Sequence, residues 1–407
     1  MRSSVGLIAV FCVAQTFAQL GAFTFPALLP EFFEIWSLSH TEAGWLSGIF
    51  FGAYSAAVPL LVTLTDRIEA RRIYIAAVGL TALSHLGMAH LAEGFWSALT
   101  FRILAGIGWA GTYMVGLKAL TDHLEGTLQS RGVAAHAASI GVSGSLSFLL
   151  AGIMATWFDW HAAFIAGALG ALGALMVAVV IFPKDARPPA RPAGQKLMDF
   201  GPVFRNRSVM AYAIGYCVHT WEMFVVRSWA VTFLVFTAAQ SGERVNFLIP
   251  TVVAMLMELA GTVMSVVGNE MAVRIGRQRW ILSVMVCSMA VSLVVGFSSA
   301  WGYGVATALC LLYNALIYAD SASLTAGTVG SAEHGRRGAT LAIHAMMGYG
   351  GGFVGPLVMG VLLDWLGGES VLNWGLGFAH LAVLMLIGPV AFLILKPRDL
   401  SGDRPAR

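Results

Sequence analysis

The stretch "TDRIEARRIY", residues 65–74, decides how the chain is read. Asp66, Arg67, Glu69, Arg71 and Arg72 put five charges within seven residues. The 407-residue chain is otherwise 58% hydrophobic and only 11% charged, with a mean hydropathy of +0.77. A soluble domain carries about 25% charged residues. The stretch is flanked by long apolar runs, 42–64 and 73–91. Crossing roughly 30 Å of hydrocarbon takes about 20 apolar residues. A charged turn between two such runs is a loop at a membrane surface.

Working outward, twelve apolar runs emerge: 5–28, 42–64, 73–91, 95–117, 133–157, 161–182, 209–236, 246–267, 280–300, 303–329, 340–363 and 373–395. They are continuous, whereas a membrane barrel strand alternates over about ten residues. The expected fold is an all-α integral membrane protein with twelve transmembrane helices in two six-helix bundles. The opening "MRSSVGLIAVFCVAQTFAQ" imitates a signal peptide, but its apolar stretch runs on through "LGAFTFPALL" and is kept as span 1. A net charge of +3 argues against nucleic acid. Cys12, Cys217, Cys287 and Cys310 all fall within spans, without the spacing of a zinc site. No metal or cofactor is expected. No Gly-x-x-x-x-Gly-Lys-Ser/Thr loop is present, which disfavours an ATP-driven pump.

Orientation follows from the cations. Of the 24 Lys and Arg residues, twenty fall on the side of the even-numbered loops and the termini, and only Arg244 falls on the other. The positive-inside rule places that basic side in the cytoplasm, with both termini. The expected location is the cytoplasmic (inner) membrane of a bacterium. The turn at 65–74 then caps the cytoplasmic end of span 2. Its cations suit the negative end of that helix, and Asp66 does not, so Asp66 needs an external partner.

The loop 183–208, with "KDARPPARPAGQK" at its centre, reads as a linker between residues 1–182 and 209–407. The halves repeat each other at offsets of about 206 residues. "DRIEARR" at 66–72 recurs as "VRIGRQR" at 273–279, "RGVAAHAASIGVSGS" from Arg131 as "RGATLAIHAMMGYGG" from Arg337, and Asp159–Trp160 as Asp364–Trp365. Parallel repeats of this kind are a transporter architecture. Small residues recur every four positions in span 5 (Ser139, Ser143, Ser147, Ala151, Ala155) and span 11 (Gly348, Gly352, Pro356, Gly360). Such stripes allow close helix approach and predict a sliding seam.

With these features the chain resembles the major facilitator superfamily over nearly its whole length. Asp66, Arg67, Arg71 and Arg72 match that family's loop between spans 2 and 3, with Val62 and Glu69 in place of its two glycines. In the second half Arg274, Gly276 and Arg277 match, and Val273 replaces the acid. "RILAGIG", with Arg102, Gly106 and Gly108, is similar to the family's span 4 motif, and "DWHAAF" at 159–164 to its entry into span 6. The Gly-Pro of drug antiporters is absent from span 5, and a Gly-Pro lies within span 11 instead, at Gly355–Pro356. The resemblance implies alternating access by two rocking bundles, with spans 1, 4, 7 and 10 lining a central site. It also implies a cytoplasmic gate of Asp66, Arg67, Arg71, Arg72, Arg274, Arg336 and Arg337, in which Asp66 latches onto the Arg336–Arg337 end of span 11 or the helix dipole there.

Ionisable groups within spans are functional candidates. Glu222 lies about 20 Å along span 7 and Glu258 lies comparably deep in span 8, at 1.5 Å per residue. Burial disfavours a charged carboxylate, so Glu222, Glu258 and Asp320 are the expected proton-coupling residues. Each has a plainer reading, and Asp320 in particular could simply meet a cytoplasmic arginine. Gln15, Gln19, Arg102, Arg227, Asn314 and Tyr318 are the expected substrate-binding residues, the arginines suiting an anionic group. His219 and His344 read as satisfied by neighbours.

The expected function is secondary active transport of a small organic solute, with an organic anion among the candidates, coupled to protons. Drug or toxic-compound efflux by proton antiport is the alternative. An intramembrane enzyme built on "GVSGS" around Ser143, with His136 or His344 as base, is the remote one. The expected partners are a small-molecule substrate, protons and the lipid bilayer, with no nucleic acid, and the chain is expected to act as a monomer.

Overall fold

The computed structural model describes residues 4–65, 67–184, 200–242, 248–333, 336–400 and 403. Helices are the only regular elements among them. Hydrocarbon offers no partner for a backbone N–H or C=O, and a helix satisfies both within itself. Eleven helices are long and apolar enough to cross a membrane: His40–Leu64, Ala70–Leu91, Phe95–Thr121, Gly126–Trp157, Trp160–Val180, Arg207–Ser241, Pro250–Ile275, Arg277–Trp301, Tyr303–Gly330, Arg337–Trp365 and Val371–Leu395. They correspond in order to spans 2–12. Span 1 is the helix Ser4–Ala18, a turn, and the short helix Thr24–Ala27.

Sequence marks the ends. Asp159 Oδ1 accepts the Ala162 N–H at 2.8 Å and starts span 6. Asn206 caps span 7 through the Val209 N–H at 3.2 Å, and Gly242, with φ of 63°, ends it. Gly276, at φ of 108°, turns span 8 directly into span 9. A side-chain acceptor at the first turn satisfies a donor that the helix itself cannot.

Spans 1, 10 and 12, expected to be continuous, are interrupted, span 12 at Leu386 between Val371–Met385 and Ile387–Leu395, and span 9 finishes as the 3₁₀ helix Gly296–Trp301. Span 1 stops at Ala18 and turns through residues 19–23. Span 10 divides into Tyr303–Tyr318 and Ser321–Gly330 at Ala319–Asp320. The Ala319 carbonyl at that break accepts the Trp280 indole N–H at 2.8 Å. Gly268 lies so close to the same carbonyl that a Cβ there would meet its oxygen at 1.9 Å.

By internal contacts the chain divides into two units, Met1–Leu28 with Ile49–Leu197, and Leu29–Gly48 with Met198–Arg407. Span 2 thus begins in the second unit and finishes in the first. The core of the first unit gathers Phe11, Tyr74, Val78, Leu120 and Phe182, with Phe11 stacked on Phe182 at 3.9 Å between centroids. That of the second gathers Tyr212, Ile281, Met285 and Leu324.

Within the second unit the glycine stripe of span 11 lies mainly against span 7. A Cβ on Gly348 would meet the Tyr216 ring at 2.3 Å, and one on Gly352 the Phe224 ring at 2.3 Å. Gly351 faces the Cys217 carbonyl, with 2.3 Å available to a Cβ, whereas Gly350 has nothing within 4 Å. Backbone cannot step aside as a side chain can. Gly351→Leu is therefore expected to lower the thermal midpoint of the purified protein, at the usual overpacking cost of about 1–3 kcal/mol. Gly350→Leu should leave the midpoint unchanged; equal midpoints for the two variants would contradict the close span 7–span 11 contact.

Candidate functional site

In the first unit the polar groups gather at the break in span 1. The turn frees the Phe23 N–H, which Ser147 Oγ of span 5 accepts at 2.9 Å. Ser143 Oγ donates to Gln19 Oε1 at 3.0 Å. The small stripe of span 5 thus supplies hydroxyls to an irregular segment as well as a smooth face. Gln19 Nε2 and both polar atoms of the Gln15 amide are buried and without a partner among the described residues. Arg102 is 2% exposed, its guanidinium carbon 4.6 Å from the Phe50 ring centroid and 5.4 Å from that of Phe25. Face-on aromatic contacts of this kind attract a cation most strongly away from water.

Three of the buried clusters among the described residues of the second unit involve the expected site residues. In the first, Arg227 Nε donates to Glu258 Oε1 at 2.8 Å, and an Nη of Arg227 donates to Glu258 Oε2. The Tyr318 hydroxyl donates to the same Oε2 at 2.8 Å and also meets Arg227. Spans 7, 8 and 10 are joined there by a two-pronged ion pair. In the second cluster, Ser288 Oγ and the Tyr313 hydroxyl both donate to Glu222 Oε1 at 2.7 Å. Glu222 is 1% exposed, and its Oε2 has no partner among the described residues.

In the third cluster His219 Nδ1 lies 2.8 Å from Asp320 Oδ1, an ion-pair distance at an angle that makes no hydrogen bond. Both side chains are at most 2% exposed. Tyr216 stacks on His344 at 3.8 Å and on His219 at 5.6 Å between ring centroids. His344 also meets the Thr325 and Thr328 hydroxyls at 3.2 and 3.0 Å.

The expected residues therefore separate. Glu222 and Arg227 share a helix but not a partner, as their 140° angular separation implies. Arg227, Glu258 and Tyr318, expected in two different roles, form one cluster. Asp320 meets a histidine of span 7, not an arginine, because the break in span 10 buries it. Asn314 Nδ2 is held by the Met257 carbonyl at 2.6 Å, and its Oδ1 is unpartnered among the described residues. Ser288 and Tyr313 went unnoticed in the sequence. Serine and tyrosine carry no charge to draw attention, and what makes them matter is the carboxylate between them.

Of the residues expected at a cytoplasmic gate, Asp66 lies outside the described residues. Arg67 is exposed. Arg71 donates to the Ala178 and Val179 carbonyls at 3.3 and 2.6 Å, and Arg72 pairs with Glu69 at 3.1 Å. Arg274 pairs with Glu270 at 2.7 Å and Arg336 with Glu333 at 3.5 Å, while Arg337 is exposed.

A different contact holds the opposite end of the second unit. Asp364, at the end of span 11, accepts the His40 and Thr41 N–H groups at 3.0 and 2.7 Å and lies 2.8 Å from His40 Nδ1. The two Asp–Trp repeats thus act differently: Asp159 caps its own following helix, and Asp364 caps the start of span 2. Glu369 lies 3.9 Å from His40 Nε2, and burial pushes its carboxyl up to about 7.

Eleven helices long and apolar enough to cross a membrane, with the shorter apolar helix Ser4–Ala18 before them, define a polytopic membrane protein. The Major Facilitator Superfamily model matches residues 11–332, and the chain belongs to that superfamily. It is 26% identical over 150 residues to the uncharacterized MFS-type transporter YwoD of Bacillus subtilis (strain 168), covering 37% of this chain and 33% of that protein. It is 22% identical over 242 residues to Protein spinster homolog 3 of Danio rerio, covering 57% and 48%. The chain thus spans about half or less of the length of these relatives. Among solved structures it is similar to a bacterial homolog of the human lysosomal transporter Spinster, in an inward-facing and occupied conformation. The TM-score is 0.76 at 14% identity, with 99% of both chains covered. Ser143 Oγ, in span 5, donates to Gln19 Oε1 and to the Ile140 carbonyl at 2.9 Å.

The Arg227–Glu258 pair makes a direct prediction. Removing one partner leaves a buried charge unmatched, typically at about 3–5 kcal/mol, whereas replacing both by apolar groups is often close to neutral. Arg227→Met is expected to lower the thermal midpoint well below that of Arg227→Met/Glu258→Leu. A double variant at least as unstable as the single one would contradict mutual neutralisation.

Proposed function

We propose that the chain carries a small organic solute across the cytoplasmic membrane of a bacterium by alternating access, coupled to protons through Glu222. In this reading residues 1–182 and 209–407 are the two bundles, 183–208 is the cytoplasmic linker and both termini are cytoplasmic. One observation carries it: a buried carboxylate at mid-span with both of its donors on one oxygen. Ser288 and Tyr313 occupy Oε1, so the acid proton belongs on Oε2, which has no partner among the described residues. A lone carboxylate away from water is costly. When the site is dry Glu222 keeps its proton; when rocking admits water the charged form becomes affordable and the proton leaves. The same two hydroxyls stabilise the anion once it forms.

The groups with spare hydrogen-bonding capacity are Gln15 and Gln19 in the first unit, which also holds the buried cation Arg102, and Asn314 in the second, and these are the candidates for solute contacts. Arg227 is engaged by Glu258, so an anionic solute would meet it only in exchange for that carboxylate. This pairing favours a second reading, proton-driven export of a hydrophobic cation, because it removes one buried positive charge from the solute's surroundings. A thermal-shift panel of organic acids, amino acids, sugars and cationic dyes separates the two by the class that stabilises the protein.

With a stabilising compound in hand, proteoliposomes with an imposed pH gradient test the coupling. Glu222→Gln is expected to lose uphill movement of that compound while retaining its exchange across the membrane. Uphill movement at the parental rate would remove Glu222 from the coupling mechanism.

A further inference from the structure

At the basic end of the second unit, the entry to span 7, the exit of span 10 and the tail after span 12 enclose a cavity of about 690 Å³. That lies within the roughly 300–1,000 Å³ usual for ligand sites. Arg205, Arg207, Lys396 and Arg398 line it, against Glu333 and Asp399. Glu333 is already paired with Arg336 at 3.5 Å, and Asp399 Oδ1 accepts from Gln278 at 3.2 Å. The side chains of Arg205, Lys396 and Arg398 make no hydrogen bond or ion pair with any described residue.

The walls are held in place. Arg398 N–H donates to Ser208 Oγ at 3.0 Å, and an Nη of Arg207 donates to the Ile394 carbonyl at 2.8 Å. Asn206 Nδ2 donates to the Ser331 carbonyl at 3.0 Å. Further along the tail, Arg277 holds Asp403 with two hydrogen bonds at 2.7 and 2.8 Å. The buried Ser331 hydroxyl at the cavity has no partner among the described residues.

A topology signal alone would scatter its cations over the basic face. The turn between spans 2 and 3 shows the contrast, since Arg71 is used by carbonyls and Arg72 by Glu69. At the cavity, three cations with no side-chain partner among the described residues share one space with Glu333 and Asp399. Beside it lie outward-facing apolar side chains: Phe204 is 54% exposed, Leu393 66% and Ile394 62%. Lys396 follows Leu393 and Ile394 at the very end of span 12, where hydrocarbon gives way to the headgroup layer. A ligand with one negative head and an apolar body fits both features, and a small free anion uses only the first.

We propose that this cavity binds the phosphate-bearing headgroup of an anionic phospholipid, whose acyl chains lie along Phe204, Leu393 and Ile394. Basic pockets between membrane helices bind such headgroups, at about one kcal/mol for each Lys or Arg near the surface. Removing three of these cations should therefore weaken binding about 100-fold.

The test uses the full-length protein in a non-ionic detergent at fixed ionic strength. Its thermal midpoint is titrated with dioctanoyl phosphatidylglycerol, dioctanoyl phosphatidylcholine or inorganic phosphate. Phosphatidylglycerol is expected to raise the midpoint at concentrations where the other two do not. Arg205→Gln/Lys396→Gln/Arg398→Gln should shift that titration about 100-fold, while the charge-matched control Arg131→Gln/Lys184→Gln/Arg279→Gln should not. Native mass spectrometry of the parent and of Arg398→Gln supplies a second readout, with fewer phosphatidylglycerol molecules retained by the variant, should the triple variant not fold. Equal stabilisation by inorganic phosphate would make this a free-anion site and overturn the lipid assignment. An unshifted titration in the triple variant, equal retention by Arg398→Gln, or no effect of phosphatidylglycerol on the parent would overturn the site itself.

Discussion

Hydrocarbon has no hydrogen-bonding partner to give, so every polar atom within a span must find one in the protein or be kept for something that enters. The structure follows from this constraint. Where span 1 leaves helical geometry, the freed Phe23 N–H goes to Ser147. Where span 10 breaks, the Ala319 carbonyl takes the Trp280 indole. Arg227 and Glu258 cancel each other, with Tyr318 filling a remaining lone pair. Buried polar atoms without a hydrogen-bond partner among the described residues include the Gln15 amide, Gln19 Nε2, Asn314 Oδ1 and Glu222 Oε2 on spans 1, 7 and 10, and also the Tyr74 hydroxyl on span 3, His136 Nδ1 on span 5 and the Trp374 indole on span 12. In membrane carriers, breaks in the helix tend to lie beside bound solutes and ions.

The same logic explains why close packing and polar matching coincide. Gly351 and Gly355 bring span 11 onto the span 7 backbone, so near that a Cβ would lie 2.3 Å from the Cys217 carbonyl and 2.8 Å from that of Trp221. At that range the Thr220 hydroxyl reaches the Gly348 carbonyl at 2.6 Å, and the Trp229 indole reaches the carbonyl of Pro356 at 3.1 Å. Small residues, useful in lipid because they admit close approach, here also bring polar side chains within reach of backbone. At the far end of span 11, Asp364 supplies the first turn of span 2 with the acceptors that the helix itself lacks.

The spans were legible in the sequence because hydropathy over 20 residues is a property of composition, and the superfamily because its loop residues are local. The breaks in spans 1 and 10 were not. "AQLGAFT" and "YADSAS" carry Gln19 and Asp320, but Arg102 and Glu222 sit in helices that stay continuous, so a polar residue in a span does not by itself mark a break. Glu222 stood out by depth alone, and its hydroxyl donors, Ser288 and Tyr313, come from two other spans. Arg227 and Glu258 lie thirty-one positions apart, and no spacing rule pairs residues across a loop. Asp320, expected to take part in proton coupling with a cytoplasmic arginine as its plainer partner, lies beside His219, 101 positions earlier in the chain, which no local spacing could indicate. Asp364 was visible only as half of a repeated Asp–Trp, and its partner lies 324 residues earlier.

The central claim is that Glu222 takes up and releases a proton, and infrared difference spectroscopy reads this most directly. Films of the protein in lipid are equilibrated across a pH series, and the carbonyl stretch of protonated carboxylic acids is followed. The account predicts a band that fades as pH rises, is absent from Glu222→Gln, and moves in frequency in Tyr313→Phe, where Oε1 loses one of its two donors. An identical band in parent and Glu222→Gln, or no titrating band in the parent, would contradict it.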